Sequence, residues 1–245
     1  MMDKISTGNI TFLQKLIKTC ALCGIDAVAV EKDVIRGQSI ESGKGIFLLE
    51  ADNVPDFGFT SMGIGRVKTL GTRISILDDT SLAIAYDCKE RDNGDRVVTK
   101  LQLTSKKTKV DFSCQDSLKI RAPKKMNDIY CYEFSVTEDT LKIMAKAFAA
   151  IDASNISFSS EKDGSVKFRA SDVEGDNFDH LVSETYDISD DADKDNFFYE
   201  YSIKFILPLF RSAMDENKKL VVNISKRGIM KVNVNGFDIF VLPEA

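Results

Sequence analysis

The sequence predicts an α+β fold in which one order, strand-helix-three strands, recurs through two similar domains. Three observations carry that expectation. Period-2 alternation of apolar and polar residues fills most of the second half, as half-buried strands require. Four segments of helical length interrupt it. A shift of 128 residues sets Leu13 on Leu141, Leu16 on Met144, Lys18 on Lys146, Ala21 on Ala149 and Val28 on Ile156, so the chain repeats itself.

The elements follow in order. A helix is predicted from about Ile10 to Cys23, then strands at Ala27 to Val30, Val34 to Ile40 and Gly45 to Glu50. A strand near Phe57 precedes a short, glycine-interrupted helix from Met62 to Arg73, and strands near Leu82 to Tyr86, Arg96 to Thr104 and Thr108 to Ser113 follow. In the second half Tyr132, Phe134 and Val136 alternate as a strand before Thr137-Glu138-Asp139 caps a helix running to about Ile151. Strands at Ile156 to Phe158, Val166 to Ala170 and Leu181 to Ile188 come next. After an acidic loop, Phe197 to Tyr201 is a strand and Ile203 to Met214 a helix, with Pro208 implying a kink or a late start. Leu220 to Ile224, Met230 to Val234 and Phe237 to Leu242 close the chain, with turns at Arg227-Gly228 and Asn235-Gly236. The domains are accordingly 1–120 and 131–245, joined by a basic, proline-marked linker at 121–130.

Composition narrows the function. With 245 residues, 43% hydrophobic and 29% charged, the chain can bury a core without staples, and four prolines with fourteen glycines exclude collagenous or low-complexity sequence. No apolar run approaches the roughly 18 residues of a membrane span, and Met1-Met2-Asp3-Lys4 does not open a signal peptide, so a cytoplasmic protein with no membrane partner is expected. The five cysteines, Cys20, Cys23, Cys88, Cys114 and Cys131, are odd in number and scattered, as packed thiols would be.

Chemistry finds little to work with. His180 is the one imidazole, and it reads as a strand side chain. Cys20 and Cys23 form a CxxC with no second ligand pair at zinc spacing. Gly63, Gly65 and Gly71 lack the spacing and the lysine-serine end of a phosphate loop, and Asp187 to Asp195 lacks the glycine and terminal glutamate of a calcium loop. No catalytic residue, metal ligand or cofactor is expected.

Charge is the informative feature. The four helical windows carry Lys15 and Lys18; Arg66, Lys68 and Arg73; Lys142 and Lys146; and Lys204 and Arg211, with no Asp or Glu, in a chain of net charge -5. Solvated helices usually mix signs for i,i+4 pairing. Helices that present only positive charge suit a polyanion, and the scarcity of aromatic residues on their polar faces favours duplex backbone over stacked single strand.

The repeated order, the basic helices in an acidic chain, the segments Asp56-Phe57-Gly58-Phe59 and Gln38-Ser39-Ile40-Glu41-Ser42 and the ending Val241-Leu242-Pro243-Glu244-Ala245 together resemble the DNA sliding clamps, those of T4-type phages and, more distantly, proliferating cell nuclear antigen. The hairpin Arg91 to Arg96 and the acidic loop depart from the pattern. The resemblance implies a DNA-clamp fold, helices lining a central hole, and a homotrimeric ring that encircles double-stranded DNA as a processivity factor, in the host cytoplasm if phage-encoded. Its implied partners are a DNA polymerase, a clamp loader and copies of itself. It places the subunit interface on Val110 and Phe112 of one protomer and Leu181 and Tyr186 of the next. It places a pocket for partner peptides on Ile40, Ile46, Ile120, Met126, Val241, Leu242 and Pro243. A non-ring DNA-binding accessory protein of similar fold is the rival reading.

Overall fold

The computed structural model describes residues 2–39, 47–51, 53–77, 81–121, 128–172, 174–188, 197–214 and 218–244. The chain forms two compact units, Met1–Ile40 with Leu48–Lys125 and Asn235–Phe237, and Glu41–Phe47 with Met126–Val234 and Asp238–Ala245. Most of the linker expected at 121–130 lies outside the described residues.

The first unit runs β1 (Asp3–Lys4), α1 (Thr7–Leu22), β2 (Val28–Glu31), β3 (Ile35–Gln38), β4 (Phe47–Ala51), β5 (Ser61–Ile64), α2 (Val67–Ser75), β6 (Ala83–Glu90), β7 (Arg96–Ser105) and β8 (Thr108–Ser113). Its strands lie in the order β1-β6-β7-β5-β2-β3-β4, with β8 antiparallel on β7. Ser6 starts α1 by accepting the Asn9 N–H at 3.3 Å, which satisfies an otherwise orphaned helix donor. Ile10, Leu13, Leu16, Ile17 and Cys20 then recur at helical spacing and are buried, leaving Thr11, Lys15 and Lys18 outside.

Two expectations change here. No strand forms at Phe57. Asp56 Oδ1 instead accepts the Gly58 N–H at 2.8 Å, turning the chain so that Phe57 stacks on Phe59 with 5.2 Å between ring centroids. The helix does not begin at Met62 either, because Ser61–Ile64 is β5, buried at every position and antiparallel to β2 in the register Val28↔Ile64. Gly63 permits a second close neighbour. It exchanges backbone hydrogen bonds with Gln115 at 3.0 and 2.8 Å, and a Cβ there would lie 2.8 Å from the Gln115 carbonyl oxygen. Gly71 serves the helix pair similarly, since a Cβ on it would stand 3.0 Å from Ile17 Cγ2.

The second unit repeats the order: β9 (Tyr130–Thr137), α3 (Glu138–Ile151), β10 (Asn155–Ser160), β11 (Val166–Ser171), β12 (Asn177–Ser183), β13 (Asp187–Ile188), β14 (Phe198–Ser202), α4 (Ile203–Ala213), β15 (Lys219–Ser225), β16 (Met230–Val234) and β17 (Phe237–Val241). One sheet is ordered β17-β16-β15-β9-β13 and the other β12-β11-β10-β14. The strand expected from Leu181 to Ile188 is two pieces in different sheets. Ser183 Oγ donates to the Thr185 carbonyl at 2.6 Å, closing a turn after β12, and Tyr186 then packs on Tyr132 and Phe197, which carries the chain across to pair Ile188 with Tyr132.

Thr137 caps α3 by accepting from Thr140 N at 3.2 Å, and Leu141, Met144, Ala147 and Phe148 form its buried stripe. α4 is continuous through the exposed Pro208. Phe158, Phe168, Tyr201 and Phe210 are fully buried between helices and strands. The 128-residue repeat survives in burial: Leu13 and Leu141, Leu16 and Met144, and Val28 and Ile156 are all core, while Lys18 and Lys146 are both exposed. This is the sequence-predicted α+β architecture, two units each of two strand-helix-three-strand repeats, with β13 as a small addition.

Candidate nucleic-acid interface

In each unit two helices pack against one another, and the polar stripe opposite each buried stripe is where seven of the nine sequence-predicted cations fall. Lys15 and Lys18 are exposed on α1 at the spacing of one helical face. Lys68 is exposed on α2, Lys142 and Lys146 on α3, and Lys204 and Arg211 on α4.

The nine cations are not equivalent. Arg66 precedes α2, and Arg66 and Arg73 both stack over the ring of Phe112, at 5.3 and 5.5 Å from its centroid. Arg73 also donates from Nη1 to the Asp111 carbonyl at 2.6 Å. These two arginines therefore hold β8 against α2. Lys142 is engaged differently, because α3 begins two residues earlier than the acid-free window and brings Glu138 and Asp139 into its first turn. There they favour the positive end of the helix dipole. Lys142 Nζ lies 3.2 Å from Asp139 and 3.4 Å from Glu138, and Lys218 reaches Glu138 at 2.8 Å. Hydrogen bonds from Lys218 and Lys142 hold the Glu138 carboxyl below its ordinary value despite some desolvation. Charge segregation on the helices is thus broken at one helix start. Lys15, Lys18, Lys68, Lys146, Lys204 and Arg211 make no ion pair among the described residues.

Between α3 and α4 a groove of about 420 Å³ opens, lined by Glu138, Leu141, Lys142, Ala145, Lys146, Arg211, Met214 and Lys218. Lys218, in the left-handed region at φ 59°, was missing from the sequence-predicted set because it lies on no helix. The Lys218-Lys219 doublet was its available signal.

The strand edges are also in view. Among the described residues β8 pairs only with β7, and β12 only with β11. On β8, Val110 is half-buried whereas Phe112 is fully buried beneath the two arginines, so Phe112 supports this edge from inside its own unit. Leu181, 42% exposed, lies on β12; Tyr186 lies beyond it in the aromatic cluster with Tyr132 and Phe197.

Of the residues expected to receive partner peptides, Ile40, Ile46 and Met126 lie outside the described residues. Ile120 and Val241 are buried, and Leu242 and Pro243 are half-buried. Beside Ile120, Leu118 is 74% exposed.

Groups with chemical potential are engaged elsewhere. Cys20 and Cys23 are both buried; desolvation pushes the Cys23 thiol up to about 12 and the Cys20 thiol higher still, which disfavours the thiolate that redox or metal chemistry requires. His180, on β12, packs against Phe178 of its own strand and Phe168 of the neighbouring β11. Among the described residues no group of three or more His, Cys, Asp or Glu side chains is placed to hold a metal ion, and no helix is long and apolar enough to cross a membrane.

No family model and no curated protein matches the chain in sequence. Solved structures do match it. The structure of the C-terminal region of FEN-1 bound to A. fulgidus PCNA aligns over 100% of this chain and 99% of its own, with a TM-score of 0.67 at 11% identity. Proliferating Cellular Nuclear Antigen from Entamoeba histolytica aligns over 100% of this chain and 98% of its own, at a TM-score of 0.63 and 14% identity. The DNA polymerase sliding clamp from Bacillus subtilis covers 99% of this chain, which spans 64% of that longer one, at a TM-score of 0.66 and 14% identity. The chain has the sliding-clamp fold.

Proposed function

We propose that this chain is a DNA sliding clamp, a non-enzymatic ring that encircles duplex DNA and tethers a replicative DNA polymerase. The observation that carries the reading is the basic polar stripes of the helices, six of whose cations make no ion pair among the described residues. Six cations project from the solvent sides of four helices in a chain of net charge -5, on a fold whose solved relatives include DNA polymerase clamps. Lysines without fixed partners suit a protein that must slide. Each neutralises a phosphate without reading a base, and none creates a site that would arrest movement.

Three copies per ring is the number that the clamp resemblance implies for a two-domain chain, and this chain aligns over nearly all of the A. fulgidus and Entamoeba chains. The open edges of β8 and β12 are the surfaces where one protomer would pair with the next, with Val110 and Leu181 near the seam. The domains would divide at 121–130, and the pocket for polymerase and clamp-loader peptides would be built around Ile40, Ile46, Ile120, Met126, Val241, Leu242 and Pro243. A phage origin, with function in the host cytoplasm, fits the T4-type resemblance.

The test is primer extension by the partner polymerase under single-encounter conditions. Wild-type protein should lengthen the products, and Lys18→Glu with Lys146→Glu should remove that gain while leaving the assembly mass unchanged. Equal product lengths with wild-type protein and the double variant would refute the basic faces as the DNA-facing surface.

A further inference from the structure

Resting on the reading above, we propose that the groove between α3 and α4 is a seat for one unpaired nucleotide of DNA, so that the protein holds a duplex with a single-stranded overhang more tightly than a blunt duplex.

Size comes first. A volume of about 420 Å³ falls in the range of small-ligand sites, roughly 300–1,000 Å³. A duplex, far wider than the gap between two packed helices, can only lie across the rim, whereas a single nucleotide can enter.

Charge selects the ligand. Among the described residues, four cations, Lys142, Lys146, Arg211 and Lys218, line the groove with one carboxylate, Glu138. Glu138 is spent on Lys142 and Lys218, at 3.4 and 2.8 Å, while Lys146 and Arg211 have no acidic partner among the described residues. Those two are free to receive a phosphodiester, Arg211 with a planar fork and Lys146 as a point charge.

The lining supplies the other half of the recognition. Leu141, Ala145 and Met214 give it an apolar surface, and a thioether makes favourable contact with an aromatic ring. A phosphate with nothing attached would leave that surface unused, and a base attached to the phosphate would cover it. An acidic peptide would meet the cations but gain less from the apolar lining. The groove also adjoins the exposed stripe that carries Lys142 and Lys146, so DNA held along the helices passes its mouth.

The experiment measures binding of the whole protein by anisotropy to three DNAs: a blunt duplex, the same duplex with a short overhang, and that duplex with an abasic overhang of equal phosphate count. Removing a few tens of Å² of base surface from water against the apolar lining supports a preference of about three- to tenfold for the base-bearing overhang over both others. Ala145→Phe, which fills the groove, should bring the three affinities to parity without weakening the blunt duplex; Ala145→Leu repeats the test with a smaller intrusion should the first variant misfold. Equal wild-type affinity for base-bearing and abasic overhangs would overturn the seat, and so would a preference that survives both variants. A decaglutamate peptide that binds the wild type, is lost with Ala145→Leu, and accompanies no overhang preference would assign the groove to acidic peptides instead. Loss of blunt-duplex binding in the wild type would overturn the clamp reading itself, a result distinct from loss of the preference.

Discussion

Salt dependence separates the free helix cations from the held ones. For a protein that neutralises Z phosphates, log K falls against log salt with a slope of about -0.9Z, so each contact removed spares roughly 3.5-fold of the affinity lost between 50 and 200 mM salt. Six of the helix cations make no ion pair among the described residues, and Lys18 and Lys146 are two of them, at equivalent positions on α1 and α3. Replacing both with glutamate removes a third of the free set, so the slope should fall by at least about a third. Arg73 is the control. It is fixed by the Phe112 ring and the Asp111 carbonyl, so Arg73→Gln should loosen β8 and lower stability while leaving most of the slope intact. Fluorescence anisotropy on a duplex of mixed sequence, titrated with salt, reads both. A double variant with the wild-type slope, or an Arg73→Gln slope that falls as far as the double variant's, would refute the division into free and held cations.

Other outcomes follow from the packing. Gly63→Ala places a Cβ 2.8 Å from a backbone oxygen and 3.0 Å from a backbone carbon, neither of which can rotate away; urea denaturation should show a loss of about 1–3 kcal/mol, as overpacking does. Thr137→Ala removes the cap of α3, and the same assay should register about 1 kcal/mol. The Arg169 guanidinium, donating to Asp179 at 2.6 and 2.9 Å, holds that carboxyl below its ordinary 3.8. With the folded value depressed, the pair's contribution is present above 3.8 and lost as pH falls through the lower folded value. Asp179→Asn should therefore lower stability at pH 7 and flatten its decline below pH 4; an unchanged acid limb would show that the pair contributes nothing.

Element type was legible wherever one face of an element meets water. α3 announced itself through Thr137 and a buried stripe of Leu141, Met144 and Phe148, and the strands Val166–Ser171 and Met230–Val234 through strict alternation. Element type was not legible where that asymmetry vanishes. β5 is buried at all four positions, so its run Ser61-Met62-Gly63-Ile64 carries no period and merged with the helix after it. β1 failed for the opposite reason: Asp3 and Lys4 are both exposed, and only pairing with Tyr86 and Ala85 makes them a strand. The helix cations were legible as a set because charge needs no fold to be counted. Which of them are held was not, because Phe112 lies about forty residues from Arg66 and Arg73 in sequence and meets them only through β8. The glycines that looked like a failed phosphate loop make room for close neighbours, the Gln115 and Asp116 backbone at Gly63, the Gln115 side chain at Gly65 and the Ile17 side chain at Gly71, a use that a sequence pattern does not encode.

The central claim is that copies of this chain close into a ring around DNA, and its native mass tests that most directly. At micromolar concentration the protein should weigh three times 27.3 kDa, and Leu181→Glu on the edge of β12 should shift it toward 27.3 kDa. A wild-type mass of one or two chains at that concentration would contradict the trimeric ring.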